Sequence, residues 1–297
     1  MKVFVIGSKG FIGSHVVGHF GQQHDIWQCD VVTDYVTEKY FTVDATNSDF
    51  GEIFQKNNFD VCINCSGAAS VPDSIKNPQR DFVLNALNVY KQLDAIRKYN
   101  PNCKYINFSS AAVYGNPENL PIVEESTINP ISPYGFHKKM AEDICLEFFK
   151  NFNISSCSLR VFSAYGPGLQ KQLFWDLSKK AAKNSTVELF GTGRESRDFI
   201  YISDLLNAID CIIKKSKFKA EVINVASGIE VLIKDAVAIF YNNFDENINT
   251  KFFGKERKGD PSNWRADISK IQSYGFESKV SIETGLKAYI KWLKENE

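Results

Sequence analysis

Short, mostly apolar runs separated by longer stretches of mixed pattern organise the first half of the chain. Val3–Ile6, Ile26–Asp30, Tyr40–Asp44, Val61–Cys65, Tyr105–Phe108 and Cys157–Arg160 each fit one strand. Runs of this length with little polar alternation predict strands covered on both faces, as in a parallel sheet. The intervening segments carry helical spacing, from Ser14 onward, near Asp49–Lys56, over Pro78–Lys98 and from Tyr134 to about Phe152. Strands alternating with helices predict an α/β fold with a doubly wound parallel sheet that takes ligands at the carboxyl ends of its strands. Beyond Gly168 the alternation weakens. We expect one domain over 1–165 with about 203–226, and a smaller mixed α/β C-terminal substrate domain over about 166–202 and 227–297. In the latter, helices are predicted near Ile233–Phe244 and Ile282–Lys294.

Three features of the pattern carry candidate chemistry. The first strand runs into Gly7-Ser8-Lys9-Gly10-Phe11-Ile12-Gly13, a glycine-rich turn opening a helix. In that context Gly7 turns the chain, Gly10 admits a pyrophosphate close to the backbone, and Gly13 lets helix and strand pack. The second strand ends in Asp30, where a carboxylate can accept from a ribose 2′-hydroxyl and repel a 2′-phosphate. This favours NAD over NADP, with Lys9 as the one nearby charge that could offset the preference. The third feature is Tyr134 and Lys138, four residues apart and so on one helix face. A neighbouring ammonium is expected to draw a tyrosine pKa down from about 10 and make the phenol a proton acceptor.

Composition narrows the ligand. With 35 basic and 35 acidic residues among 297, and no block of like charge, nothing points to nucleic acid or an anionic membrane surface. A small molecule is the expected partner. The seven cysteines are an odd number, and Cys29, Cys62, Cys65 and Cys103 fall in or beside strand patterns, which suggests reduced core thiols in a cytosolic protein. Cys62-Ile63-Asn64-Cys65 has no second pair or His cluster to complete a metal site. The apolar run at the N-terminus is too short for a signal peptide, and no stretch approaches a membrane span.

Taken together, these motifs resemble the extended short-chain dehydrogenase/reductase family in its NAD-dependent nucleotide-sugar epimerase/dehydratase branch, of the UDP-glucose 4-epimerase type. The resemblance covers the whole chain. Besides the features above it rests on Asp44, Ser109-Ser110-Ala111-Ala112-Val113-Tyr114-Gly115, the run Arg160 to Gly168, the run Gly191 to Tyr201, and Arg257-Lys258-Gly259-Asp260. It implies a Rossmann-type sheet holding NAD along Gly7, Gly10, Phe11, Ile12, Gly13, Asp30, Asp44, Ala45, Cys65, Ser66, Gly67 and Asn85. It makes Ser110, Tyr134 and Lys138 the catalytic group. It places Ser163, Gln172, Leu173, Arg197, Arg257 and Trp264 at a nucleotide-sugar, the two arginines at its diphosphate. A homodimer through the helices at Pro78–Lys98 and Tyr134–Phe152, and a cytoplasmic role in polysaccharide biosynthesis, are implied in the same way.

Within that branch one oxidation at sugar C4 has three outcomes: epimerisation, 4,6-dehydration, or, run in reverse, reduction of a 4-keto-6-deoxy sugar by NAD(P)H. Related dehydratases carry an Asp-Glu pair directly after the catalytic Ser/Thr, where this chain has Ala111 and Ala112. Asp30 tilts the remaining choice from reductase to epimerase, acting on an NDP-hexose through a transient 4-keto intermediate. A non-catalytic NAD(P)-binding sensor or structural subunit is disfavoured because both Tyr134 and Lys138 are kept. The chain departs from the family pattern at Ser163, where an Asn usually meets the diphosphate, at Asn88 in place of a Gly, and at His137 in place of a Ser. Trp264 stands where the resembling epimerases border the sugar pocket, a hint of an unacetylated hexose.

Overall fold

The computed structural model describes residues 1–182, 186–244, 248–255, 259 and 261–296. In chain order its strands and helices are β1 (Lys2–Ile6), α1 (Phe11–Phe20), β2 (Asp25–Asp30), β3 (Tyr40–Thr42), α2 (Gly51–Lys56), β4 (Val61–Asn64), α3 (Val71–Lys76), α4 (Pro78–Phe82), α5 (Asn88–Tyr99), β5 (Lys104–Ser110) and α6 (Pro133–Phe152). Then follow β6 (Ser156–Val161), β7 (Ser163–Tyr165), α7 (Gln172–Ala181), β8 (Thr186–Leu189), β9 (Ser196–Tyr201), α8 (Ile202–Lys215), β10 (Lys219–Val225), β11 (Glu230–Leu232), α9 (Ile233–Asn242), β12 (Asn249–Phe252), α10 (Ser269–Gln272) and α11 (Ile282–Asn296). They form two compact units. One comprises Met1–Gly115, Thr127–Val161 and Ile212–Asn224, the other Asn116–Ser126, Phe162–Cys211 and Val225–Glu297.

The first unit is built on a seven-stranded sheet in the order β10-β6-β5-β4-β1-β2-β3. Its registers from β3 to β6 are parallel, which is the doubly wound Rossmann arrangement. β1 and β4 are buried along nearly their whole length, as their continuous apolar runs require. Phe4 anchors the packing, stacked on Phe59 at 4.6 Å and edge-on to Phe54 and Phe41. All seven cysteines are free thiols. Among the described residues, no helix is long and apolar enough to cross a membrane.

The helix predicted over Pro78–Lys98 is interrupted by a π-helical turn at Val83–Leu87. This wider turn, a feature common at functional sites, holds Asn85 in the protein interior. Asn88 is buried one turn on, donating to the Ala45 carbonyl at 2.8 Å and accepting from Ser48 Oγ at 2.7 Å. Its amide thus closes the loop after β3.

The second unit contains a three-stranded sheet, β11-β9-β7, and the parallel pair β12-β8. The sequence pattern assigns 116–126 to the first domain, but the backbone joins this stretch to the second. Ile122 N donates to Arg265 O, and Asp267 N to Ile122 O, each at 2.8 Å. The strands here escaped the sequence pattern because they are three to six residues long and carry interspersed polar groups.

Asp198, on β9, is fully buried and ties this unit together. Its carboxylate accepts from Ser227 N and Oγ, Gly228 N and Ala266 N, all within 3.1 Å. Burial nevertheless raises its pKa to about 6, the hydrogen bonds opposing it. Between the unfolded value near 4 and the folded value near 6, the native state binds the extra proton. Stability is therefore expected to fall as pH rises through that window, by up to about 3 kcal/mol. Denaturant titrations at pH 4.5 and 7 of the wild type and Asp198→Asn check this: the substitution should flatten the pH dependence.

Candidate active site

Four strand ends of the first unit converge on one set of side chains. At the end of β1, Gly7 has φ +79° and a Cβ there would stand 2.7 Å from Ser66 N, on the loop after β4. A Cβ on Gly13 would collide with the Gly7 carbonyl, so glycine alone lets α1 start this close to β1. Gly10 is the N-cap of α1 with no side chain to cap it, which leaves first-turn N–H groups available to an anion. Phe11 and Ile12 open the helix half-buried. Ser8 is buried, and its hydroxyl has no partner among the described residues.

Asp30 is half-buried at the end of β2. One carboxylate oxygen accepts from Lys9 N at 2.8 Å, the other from Val31 N at 2.7 Å. Asp44 closes its own turn, accepting from Thr46 N and Asn47 N at 2.8 and 2.7 Å, and these bonds hold its pKa below the ordinary value. After β4, Cys65 and Ser66 are half-buried, with Ser66 Oγ donating to Asn64 at 2.5 Å. Gly67 follows with φ +119°, and a Cβ there would meet Asn85 Oδ1 at 2.5 Å and Lys138 Nζ at 3.5 Å. Gly67, Asn85 and Lys138 are therefore neighbours. The Asn85 side chain is buried, and neither its oxygen nor its nitrogen has a partner among the described residues.

Ser110 ends β5 and Tyr134 stands in the first turn of α6. This helix starts where the sequence predicts: Ser132 caps it by accepting from Gly135 N at 3.2 Å, and Pro133 fills the first position. Tyr134 N donates to Ser74 Oγ on α3, which fixes the approach of the helix. Ser110 Oγ accepts from Ala112 N at 3.2 Å, so it caps the following turn while also hydrogen bonding with the Tyr134 phenol. Lys138 is buried and donates to the Phe108 carbonyl at 2.7 Å, its Nζ 5.8 Å from the centre of the Tyr134 ring.

The expected lowering of the Tyr134 pKa is not found. Burial pushes the phenol up to about 12, Ser110 pulling it down and the Asp81 carboxylate raising it further. The physical reason is that desolvation of the buried phenol outweighs the one opposing contribution, the hydrogen bond with Ser110.

Comparison with known proteins gives the family of the chain. A family model described as the NAD dependent epimerase/dehydratase family matches residues 3–226. The chain belongs to that family. It is 27% identical over 332 residues to the UDP-glucose 4-epimerase of Lactobacillus helveticus, spanning 100% of this chain and 98% of the relative. Its structure matches that of the UDP-glucuronic acid 4-epimerase from Bacillus cereus in complex with UDP-glucuronic acid and NAD, with TM-score 0.90, 26% identity and full coverage of both chains. It also matches the UDP-N-acetylglucosamine 4-epimerase from Methanobrevibacter ruminantium in complex with UDP-N-acetylmuramic acid, with TM-score 0.89, 26% identity and coverage of 100% and 99%.

The residues of this family member fit an NAD-sized dinucleotide. The uncapped helix and close-packed glycines suit a pyrophosphate, the half-buried Asp30 suits a ribose edge, and the unpartnered polar atoms of Ser8 and Asn85 await a polar ligand. In the second unit, Arg197 leaves β9 and donates to the Ser196 carbonyl at 2.7 Å and the Ser262 carbonyl at 3.2 Å. Its guanidinium lies 5.4 Å from the ring of the buried Trp264, which packs edge-on against Phe162. Ser163 is half-buried on β7, Gln172 opens α7 with φ +67°, and Leu173 is half-buried beside it. Arg257 lies outside the described residues.

Sequence reasoning missed the frame that holds the helix carrying Tyr134 and Lys138. Glu142, one turn beyond Lys138 on α6, is buried and receives Arg160 Nε at 2.9 Å and Nη2 at 2.8 Å from β6. Ser109 Oγ, on β5, donates to the same carboxylate at 2.6 Å. Arg160 also donates to Tyr114 OH at 2.8 Å, and Tyr114 OH to Asn224 at 2.7 Å. The spacing from Lys138 to Glu142 was a readable signal, because it sets the two residues on one helix face. Breaking one partner of a buried pair costs about 3–5 kcal/mol. Glu142→Gln should lower urea stability by that order, measured by equilibrium unfolding.

Proposed function

We propose that this protein is a nucleotide-sugar 4-epimerase that works on a UDP-hexose through a transient 4-keto sugar, with Ser110, Tyr134 and Lys138 as its catalytic residues. The observation that carries this reading is the grouping of Tyr134, Lys138 and Ser110 beside Gly67 and Asn85, with only buried alanines at positions 111 and 112. Elimination of water needs an acid and a base next to that serine, and two methyl groups supply neither. The epimerase relatives support both the chemistry and the UDP moiety.

NAD, when bound, supplies the hydride acceptor and a positive charge that favours phenolate. Tyr134 accepts the proton of the sugar hydroxyl as C4 is oxidised, then returns it when the ketone is reduced on its other face. Ser110 hydrogen-bonds the same sugar oxygen. Lys138, fixed by the Phe108 carbonyl, orients the cofactor ribose beside Gly67 and Asn85, and its charge holds the proton relay in register. Arg197 and Arg257 bind the diphosphate of the substrate, Ser163, Gln172 and Leu173 border the nucleotide, and Trp264 borders the sugar.

The chain acts as a homodimer in this proposal. Phe82, Tyr90, Phe136 and Met140 support it, since α4, α5 and α6 leave these large side chains 39 to 51% exposed. Sedimentation equilibrium reads this directly: a mass of two chains fits, and a single-chain mass at micromolar protein refutes it.

Incubating the protein with UDP-glucose, UDP-galactose, UDP-glucuronate and their N-acetyl counterparts tests the activity. Isomer formation without net change in cofactor absorbance is expected, whereas stoichiometric NAD(P)H loss on a 4-keto sugar would mean a reductase. Tyr134→Phe should cut kcat roughly a hundred- to ten-thousand-fold while NAD binding survives. Near wild-type turnover in that variant would remove Tyr134 from the mechanism.

A further inference from the structure

Lys9 stands in the glycine turn beside Asp30, where a basic side chain is the usual partner of an NADP 2′-phosphate. Its charge is already committed. Lys9 Nζ contacts Asp34 Oδ2 at 2.5 Å, and the Tyr40 ring lies 5.1 Å from the same ammonium. Asp34 is itself held rigidly: Oδ1 accepts from Val36 N at 2.8 Å and Thr37 N at 3.1 Å, and Oδ2 accepts from Thr37 Oγ1 at 2.8 Å. The three charges joined here, Asp30, Asp34 and Lys9, sum to one negative.

We propose that Asp34 is a specificity-determining residue that sequesters Lys9, so that the site selects NAD and rejects NADP by more than Asp30 alone achieves. This rests on the dinucleotide reading of the glycine turn. A 2′-phosphate carries nearly two negative charges and meets two carboxylates, while the neighbouring ammonium of Lys9 is already paired with one of them. A free 2′-hydroxyl needs only an acceptor, and Asp30 provides one. With Asp34 neutral, the local charge rises to zero and Lys9 is released toward the phosphate. The lowered pKa of Asp34, caused first by Lys9 and then by the backbone N–H groups of Val36 and Thr37, keeps it ionised throughout the physiological range.

The test is equilibrium titration of NADH and NADPH, followed by nicotinamide fluorescence, on the wild type, Asp34→Asn, Asp34→Ser and Asp34→Asn/Lys9→Met. Asparagine keeps the Oδ1 acceptor that Val36 and Thr37 use and removes the charge together with the Oδ2 acceptor of Lys9 Nζ and Thr37 Oγ1, and serine is a second neutral cap. The wild type should bind NADH more tightly. Either single variant should shift the NADPH-to-NADH affinity ratio roughly tenfold toward NADPH, and the double variant should lose most of that gain. A wild type that prefers NADH combined with unshifted ratios in both neutral variants overturns the role of Asp34. A wild type that binds neither nucleotide, or prefers NADPH, instead overturns the NAD reading on which the proposal rests.

Discussion

The buried pair of Glu142 and Arg160 is the constraint on which the rest of the site depends. It clamps α6 to β6, and through Ser109 the same carboxylate reaches β5. Desolvation opposes the charge of Arg160, yet its hydrogen bonds to Glu142 and the Tyr114 contact hold its pKa above the ordinary value. Such a pair is weak evidence for net stability, because two charges leave water to make it. Its value is positional. Ser110 ends the strand that carries Ser109, and Tyr134 and Lys138 precede Glu142 on one helix, so a single buried carboxylate sets the separation of the three side chains proposed as catalytic.

The surroundings of that frame set the protonation state of the Tyr134 phenol. Burial keeps Tyr134 protonated in the resting protein, with a pKa of about 12, and Asp81 adds to the effect. His137, where the family resemblance leads one to expect Ser, is paired with Asp81 at 2.6 Å. It gives that buried carboxylate a polar partner that a serine at the same place would have to supply with a shorter side chain. In the proposed mechanism, the positive charge that favours phenolate arrives with the bound cofactor.

Much of the first unit was legible because its physics is local. Continuous apolar runs fix strands in a parallel sheet, Gly7 and Gly13 admit no side chain, and Ser132-Pro133 announces a helix. Helix spacing paired Tyr134 with Lys138, a strand end located Ser110, and the family resemblance joined the three. What the sequence could not show came from tertiary contacts: the π-turn around Asn85, the Asp81–His137 and Lys9–Asp34 pairs, and the engagement of Lys138 with the Phe108 carbonyl. The short strands of the second unit were hidden for a related reason. Asp198 holds three segments distant in sequence, and no periodicity along the chain records such a junction.

The central claim is that hydride leaves sugar C4 and returns to it within one protein. A UDP-hexose deuterated at C4, incubated with the purified protein and followed by NMR and mass spectrometry, tests this most directly. The account predicts the C4 epimer with its deuterium retained at C4 and no uptake of hydrogen from solvent there. An epimer whose label has washed out into water, or a change of configuration at another carbon, would contradict it.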